Sequence, residues 1–106
     1  FRDMDKSILP VIVSHGEGKI SINKKNVKKP TLSFVDNFGN LTMNYPYNPN
    51  GSAHGATGFC NNDGRINIMM PHPERLIHVN NYSWAPKTWK HSPWLKFFIN
   101  AREWVN

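Results

Sequence analysis

Ile8-Leu9-Pro10-Val11-Ile12-Val13 is the longest nearly uncharged apolar run of this 106-residue chain, and it bears most directly on the fold class. Such a run predicts a β-strand buried on both faces, as in a sheet that helices cover. Pro10 removes one hydrogen-bond donor, so we expect an edge strand or an irregular start. The run is far too short to cross a bilayer, which excludes a membrane span.

Two β-hairpins are predicted in the middle of the chain. In each of them, two short strand segments flank a run of turn-forming residues. The segments are 32–36 and 41–45 around Asn37-Phe38-Gly39-Asn40, then 56–60 and 65–70 around Asn61-Asn62-Asp63-Gly64.

The clearest helix signal lies near the C-terminus. Ser92 can cap a helix that has Pro93 at its first position. Apolar side chains then recur at helical spacing, and we expect this stripe to bury against a sheet. The stripe consists of Trp94, Phe98, Ala101 and Val105. The predicted class is therefore α/β, with a mixed sheet that includes β-hairpins and with a C-terminal helix.

The charge balance raises the possibility of an acidic partner. Thirteen Lys and Arg against seven Asp and Glu give a net charge of +6. Four lysines cluster at Lys24, Lys25, Lys28 and Lys29, which is typical of a solvated loop. The alternative is a non-enzymatic basic module that binds nucleic acid. The absence of aromatic residues between Ile20 and Pro30 argues against this alternative, because base stacking uses aromatic side chains.

Cysteine usage limits the chemistry further. Cys60 is the single cysteine, so an internal disulfide and a multi-cysteine zinc site are excluded. This usage predicts a cytoplasmic protein.

A His-Pro-Glu sequence carries the most specific chemical signal. His72 follows the last predicted strand and lies between Pro71 and Pro73. Prolines favour extended neighbours, and in an extended backbone residues two positions apart point to one side. His72 and Glu74 would then pair as the base and the orienting carboxylate of a nucleophilic triad. The alternative is a surface histidine in a proline-rich turn.

Several segments resemble the C-terminal end of the large form of phosphoribosylformylglycinamidine synthase, a family of purine biosynthesis. They occur in the family's order and cover nearly the whole chain. The segments are 9–18, 34–37, 45–52, 63–65, 69–75, 83–84 and 92–94. The resemblance implies that residues 1–106 are the C-terminal half of a class I glutamine amidotransferase (glutaminase) domain.

The resemblance also implies a Cys-His-Glu triad in which His72 and Glu74 are catalytic. In the family, the nucleophilic cysteine precedes the segment that begins at Phe1, and Cys60 does not match it. The chain starts without a methionine, so we expect a processed protein or a piece of a longer one. We therefore expect the isolated chain to be inactive as a glutaminase.

For the intact enzyme, the resemblance implies a glutamine-dependent ligase. Ammonia released from glutamine would aminate ATP-activated formylglycinamide ribonucleotide. The expected partners are glutamine, the synthetase domains and the N-terminal half of the glutaminase domain. ATP and magnesium belong to the synthetase part, and we expect no cofactor in this fragment.

Three further residues are candidate glutamine contacts: His15 at the end of the first predicted strand, and Asn50 and Ser52 in a turn loop. A metal site built from His15, Glu17, His72 and Glu74 is an alternative. The spacing lacks the helical or paired histidines of common zinc sites, so we expect no metal.

Overall fold

The computed structural model describes residues 1–14, 18–23 and 28–106. The regular elements are β1 (Leu32–Ser33), β2 (Ala56–Cys60), β3 (Asn67–Met69) and α1 (Leu95–Trp104), with 3₁₀ turns at Ala53–Gly55, Pro73–Leu76 and Val79–Asn81. Within these described ranges, none of the helices is long and apolar enough to cross a membrane.

The chain divides into two compact units. One, here called the terminal unit, combines Phe1–Ile12 with His72–Asn106. The other, the central unit, is Val13–Pro71. The three strands therefore belong to the central unit, whereas α1 and the His-Pro-Glu sequence belong to the terminal unit.

The central unit contains a three-stranded antiparallel sheet in the order β1-β2-β3. In the β2–β3 hairpin, Gly58 lies opposite Met69 and Cys60 lies opposite Asn67. The turn is closed by the N–H of Asn61, which donates to the carbonyl oxygen of Ile66 at 2.9 Å. This pairing confirms the predicted second hairpin. The hairpin was predictable because its turn residues and its strand residues lie close together in the sequence.

The first predicted hairpin is much smaller than expected. Its pairing is one antiparallel bridge between Val35 and Leu41. The Asp36 carboxylate accepts hydrogen bonds from the N–H groups of Phe38 and Asn40, at 2.8 and 3.0 Å. These contacts fix the turn as predicted. The predicted segment 41–45 forms no strand, and Tyr45 is 81% exposed, so it gains little from packing.

The structure contradicts the predicted strand at 8–13. None of these residues belongs to a strand, and Ile8 is 64% exposed. The carbonyl oxygens of this segment bond to single donors instead. Trp94 Nε1 donates to Pro10 at 2.8 Å, and the backbone N–H of His72 donates to Ile12 at 2.7 Å. Two isolated donors do not make a strand ladder.

The C-terminal helix is confirmed, but the expected burial of its stripe is wrong. Trp94, just before α1, is buried, whereas no residue of the helix itself is, and Val105 is 71% exposed. The N-terminal segment packs on α1 instead. The rings of Phe1 and Phe97 lie 5.1 Å apart, and Asn100 Nδ2 donates to the carbonyl oxygen of Arg2 at 2.8 Å.

Ser92 links the start of α1 to the turn that follows Glu74. Its hydroxyl donates to the carbonyl oxygen of Leu76 and accepts the N–H of Trp94 at 3.3 Å. The hydroxyl of Tyr82 lies 2.9 Å away and donates to the remaining lone pair. The predicted cap is wrong in position, because the N-cap residue of α1 is Trp94, which has no side-chain cap bond, and Pro93 lies outside the helix. Ser92 instead holds the turn that leads into α1, and its buried hydroxyl has its full set of partners.

We expect Ser92→Ala to lower the free energy of unfolding by about 1–3 kcal/mol, because it leaves buried polar groups without a partner. Urea unfolding of the 106-residue chain measures this loss. The matched control is Ser83→Ala at an exposed position. Equal stability losses in the two variants would contradict the structural role of the Ser92 hydroxyl.

Gly55 provides a second test, within the central unit. It has a positive φ of +69°, and an added Cβ would lie 3.1 Å from the carbonyl oxygen of Phe34 and 3.2 Å from that of Thr42. Gly64 has a similar φ of +75°, with nothing within 4 Å. Both alanine variants therefore have an unfavourable backbone conformation, whereas crowding arises only at Gly55.

We expect Gly64→Ala to lower the free energy of unfolding by about 1–2 kcal/mol through the left-handed backbone alone. Gly55→Ala should lower it by about 1–3 kcal/mol more through steric overlap. Urea unfolding measures both values. A Gly55→Ala variant no less stable than Gly64→Ala would show that this packing is wrong.

Candidate active site

The backbone at His72 is held by two hydrogen bonds and is flanked by two prolines. Pro71 and Pro73 are both buried. The N–H of His72 donates to Ile12, as described above, and its carbonyl oxygen accepts the N–H of Arg75 at 3.2 Å. Both backbone polar groups of His72 are therefore hydrogen bonded, which holds the main chain from which its side chain extends.

Glu74 reaches His72 by a different backbone path from the one expected. Pro73 and Glu74 lie in the 3₁₀ turn Pro73–Leu76, and His72 is the residue that precedes this turn. The extended conformation predicted for the pair is therefore wrong at Glu74. The φ angle of proline suits the first position of a helical turn, and Pro73 starts one here. The turn then brings Glu74 back towards His72.

The two side chains form a direct contact. His72 Nδ1 lies 2.7 Å from Glu74 Oε1. An ionised carboxylate can only accept, so the proton is assigned to Nδ1 and Nε2 is the nitrogen that can accept a proton. The side chain of His72 is 34% exposed and that of Glu74 is 54% exposed. Solvent and small molecules can therefore approach the pair.

The pKa of Glu74 is lowered from its ordinary value of 4.5, chiefly by the hydrogen bond from His72. Its own backbone N–H lowers the pKa further, and the charges of His72 and Arg75 act in the same direction. The carboxylate is thus ionised at neutral pH. Its contribution to stability is present above pH 4.5 and is lost as the pH falls through the lowered pKa.

This arrangement is suited to proton transfer. A fixed Nδ1–H···carboxylate bond selects the imidazole tautomer whose Nε2 is basic, and the carboxylate stabilises the imidazolium that forms on protonation. A histidine of this kind can take a proton from a thiol and later deliver it to a leaving amine. The pair therefore supplies two of the three functions of a nucleophilic triad.

Asn50 and Ser52 lie together in a loop of the central unit. Ser52 is fully buried, and its hydroxyl donates to Asn50 Oδ1 at 2.8 Å and accepts the N–H of Ile20 at 3.1 Å. Asn50 Nδ2 donates to the carbonyl oxygen of Gly18 at 2.8 Å. These contacts tie the loop to residues 18–20. The role of both residues in glutamine binding stays a prediction.

Asn48 organises the same loop, and sequence reasoning gave it no role of its own. Its side chain is 2% exposed. Nδ2 donates to the carbonyl oxygens of Thr42 and Ser52, at 3.1 and 3.0 Å, and Oδ1 accepts the N–H of Ser52 at 3.1 Å. An asparagine that precedes Pro-Asn-Gly is a turn signal, and side-chain bonds to nearby backbone groups are the reason asparagine favours turns.

Several other predicted residues cannot be placed. His15, Glu17, Lys24 and Lys25 lie outside the described residues. Among the residues that are described, no group of three or more His, Cys, Asp or Glu could hold a metal ion. The metal alternative, which needs His15 and Glu17, therefore stays untested.

Two further sequence features have clear positions in the central unit. Lys28 and Lys29 are exposed, and Lys28 Nζ lies 3.4 Å from Asn62 Oδ1. Cys60 is a free, partly exposed thiol at the end of β2, opposite Asn67 in the hairpin.

Sequence reasoning missed the residues that position His72. The carbonyl oxygen of Ile12 accepts the backbone N–H of His72. The indole N–H of Trp94 donates to the carbonyl oxygen of Pro10, two residues before Ile12, and so holds the same segment. The indole follows the Ser-Pro sequence before α1, which is the one local signal that could have marked it. The partner of a lone backbone carbonyl leaves no pattern in a sequence.

The hydrogen bond between His72 and Glu74 predicts a change in titration. In His72→Ala, the pKa of Glu74 should rise towards 4.5, because its main cause of lowering is removed. A pH titration of the side-chain carboxyl carbons by NMR measures this.

Asp36 is the internal control. Backbone N–H groups of Asn40 and Phe38 lower its pKa, and the substitution should leave that pKa unchanged. A Glu74 titration that is identical in both proteins would refute the pairing.

Comparison with protein families is consistent with the fold. A family model for CobB/CobQ-like glutamine amidotransferase domains matches residues 1–105. The match includes His72 and Glu74, the three-stranded antiparallel sheet and the C-terminal helix, and this small α/β arrangement is consistent with a fragment of such a domain. The chain belongs to the family of CobB/CobQ-like glutamine amidotransferase domains.

Proposed function

We propose that His72 and Glu74 are the base and the orienting carboxylate of a Cys-His-Glu triad that hydrolyses glutamine. The family supports a glutamine-hydrolysing role in general. The observation that carries the specific proposal is the 2.7 Å contact between His72 Nδ1 and Glu74 Oε1 at a partly exposed position. This contact leaves Nε2 as the nitrogen that exchanges protons with nucleophile and substrate.

The nucleophile of the proposed reaction is a cysteine outside this chain. By the resemblance, this cysteine would precede residue 1, in the N-terminal half of the glutaminase domain. Cys60 has no matching sequence context, and it lies opposite Asn67 in a β-hairpin. The backbone donors that stabilise a tetrahedral intermediate would also come from the N-terminal half.

The steps follow from the chemistry of the pair. His72 Nε2 takes the thiol proton, and the thiolate attacks the side-chain carbonyl carbon of glutamine. Collapse of the tetrahedral intermediate breaks the carbon–nitrogen bond, and Nε2 returns the proton to the departing ammonia. Water then attacks the glutamyl thioester while Nε2 takes its proton. The carbon–sulfur bond then breaks, glutamate leaves, and the proton on Nε2 returns to the sulfur to restore the thiol.

We further propose that the ammonia serves phosphoribosylformylglycinamidine synthase. The matched family is that of the glutaminase domain of this enzyme, and the resemblance of the sequence segments supports the same assignment. In the intact enzyme, ammonia would pass to the synthetase domains and aminate ATP-activated formylglycinamide ribonucleotide. ATP and magnesium would bind there, and this chain would contribute the glutaminase base in the cytoplasm.

The proposal predicts a selective loss in the enzyme that carries the nucleophile. His72→Asn should reduce glutamine hydrolysis by about two orders of magnitude or more, because the general base is lost. Synthesis driven by added ammonia should continue, since that route bypasses the triad. The measurements are glutamate release and product formation with each nitrogen source.

His54→Asn is the matched control. It removes an exposed imidazole, and asparagine tolerates the φ of 55° found at this position. This control should retain both activities. Equal loss of glutamine-driven and ammonia-driven synthesis in His72→Asn would contradict the assigned role, as would steady ammonia release from glutamine by the isolated 106-residue chain.

A further inference from the structure

A cavity of about 410 Å³ lies in the terminal unit, beyond the turn that carries Glu74. Its wall combines polar side chains with apolar ones. The principal lining residues are Ile77, His78, Asn80, Lys90, His91 and Leu95. Neither His72 nor Glu74 is among the residues that line it, so the cavity is separate from the candidate active site.

The polar groups of this cavity favour an anion. Lys90 supplies an ammonium group with three N–H donors. His78 and His91 each supply at least one ring N–H, and Asn80 supplies an amide N–H₂ group. None of the described residues that line the cavity is acidic. The side chains of the wall thus offer a positive charge and several N–H donors, which phosphate oxygens can accept.

The wall is built from segments that are fixed by hydrogen bonds. At the 3₁₀ turn Val79–Asn81, the N–H of His78 donates to Asn81 Oδ1 at 2.9 Å. In the second lining segment, residues 90–95, Ser92 is held by its bonds to Leu76 and Tyr82. These bonds hold two of the backbone segments that border the cavity.

The start of α1 adds no free donors to the site. The N–H groups of Leu95, Lys96 and Phe97 already donate to the carbonyl oxygens of Ser92, Pro93 and Trp94. An anion in the cavity would depend on side chains, and Lys90 would contribute the largest electrostatic attraction. This makes the site testable by a single charge-removing substitution.

We propose that this cavity binds a phosphate group, either as inorganic phosphate or as the monoester of a small molecule. The volume falls within the range of small-molecule sites. The proposal does not depend on glutamine hydrolysis, since it uses none of the triad residues. Failure of one proposal therefore leaves the other intact.

The test is a titration of the 106-residue chain with inorganic phosphate, followed by backbone NMR shifts at Lys90 and His91. Glycerol 3-phosphate and uncharged glycerol are titrated in parallel. We expect both phosphates to shift these signals to saturation, with no effect of glycerol. Tighter binding of glycerol 3-phosphate would identify a monoester ligand, and tighter binding of inorganic phosphate would identify the free ion.

Lys90→Gln and Lys87→Gln form a matched pair, because each removes one positive charge from an exposed lysine in the same segment. Lys90→Gln should raise the phosphate dissociation constant about tenfold or more. Lys87→Gln, which lies outside the lining, should change it less than about twofold. His91→Gln keeps the test open if Lys90→Gln fails to fold, and it should also weaken binding.

Three results would overturn the proposal. The first is an absence of saturable shifts at millimolar phosphate. The second is an equal weakening in Lys90→Gln and Lys87→Gln, which would show non-specific attraction to a chain of net charge +6. The third is saturable binding whose shifts lie away from residues 77–80 and 90–95.

Discussion

The backbone hydrogen bond from His72 to Ile12 is the constraint on which the terminal unit depends. It joins positions that are far apart in the sequence, and at 2.7 Å it is well formed. Pro71 cannot donate a backbone hydrogen bond and Pro73 has no N–H either, so His72 is the single donor available in this stretch of three residues. The candidate base is thereby fixed through its own main chain.

The contrast between such long-range bonds and local signals explains which parts of the fold could be predicted from the sequence. The β2–β3 hairpin and α1 are specified by residues that lie close together in the chain, namely a turn signal between strands and a Ser-Pro sequence before the helix. The apolar run 8–13 has no such local partner. Its carbonyls bond to an indole and to one isolated N–H, and residues 8–13 are only half-buried or exposed, so the prediction of a strand buried on both faces is wrong. Hydrogen bonds to residues distant in sequence therefore set the conformation of this segment.

The candidate site could be predicted in part for a related reason. The His-x-Glu spacing was sufficient to pair His72 with Glu74, although the reason given for the pairing was wrong. Two positions can be brought together by an extended backbone or by a tight turn, and Pro73 is compatible with both. Sequence spacing alone could not separate these paths. The chemical inference rests on the contact between the side chains of His72 and Glu74, which the turn provides without an extended backbone.

The pKa of Glu74 depends mainly on its hydrogen bond with His72 and less on burial. A carboxylate that is more than half exposed still has a lowered pKa, and the first cause is a single directed hydrogen bond. Burial would act in the opposite direction, since desolvation raises a carboxyl pKa. The hydrogen bond from His72 therefore outweighs the opposing effect of burial on the pKa of Glu74, and the ionised carboxylate is the form that holds the histidine tautomer. An orienting carboxylate of this kind requires a correct distance more than a protected environment, and the Pro73 turn supplies that distance.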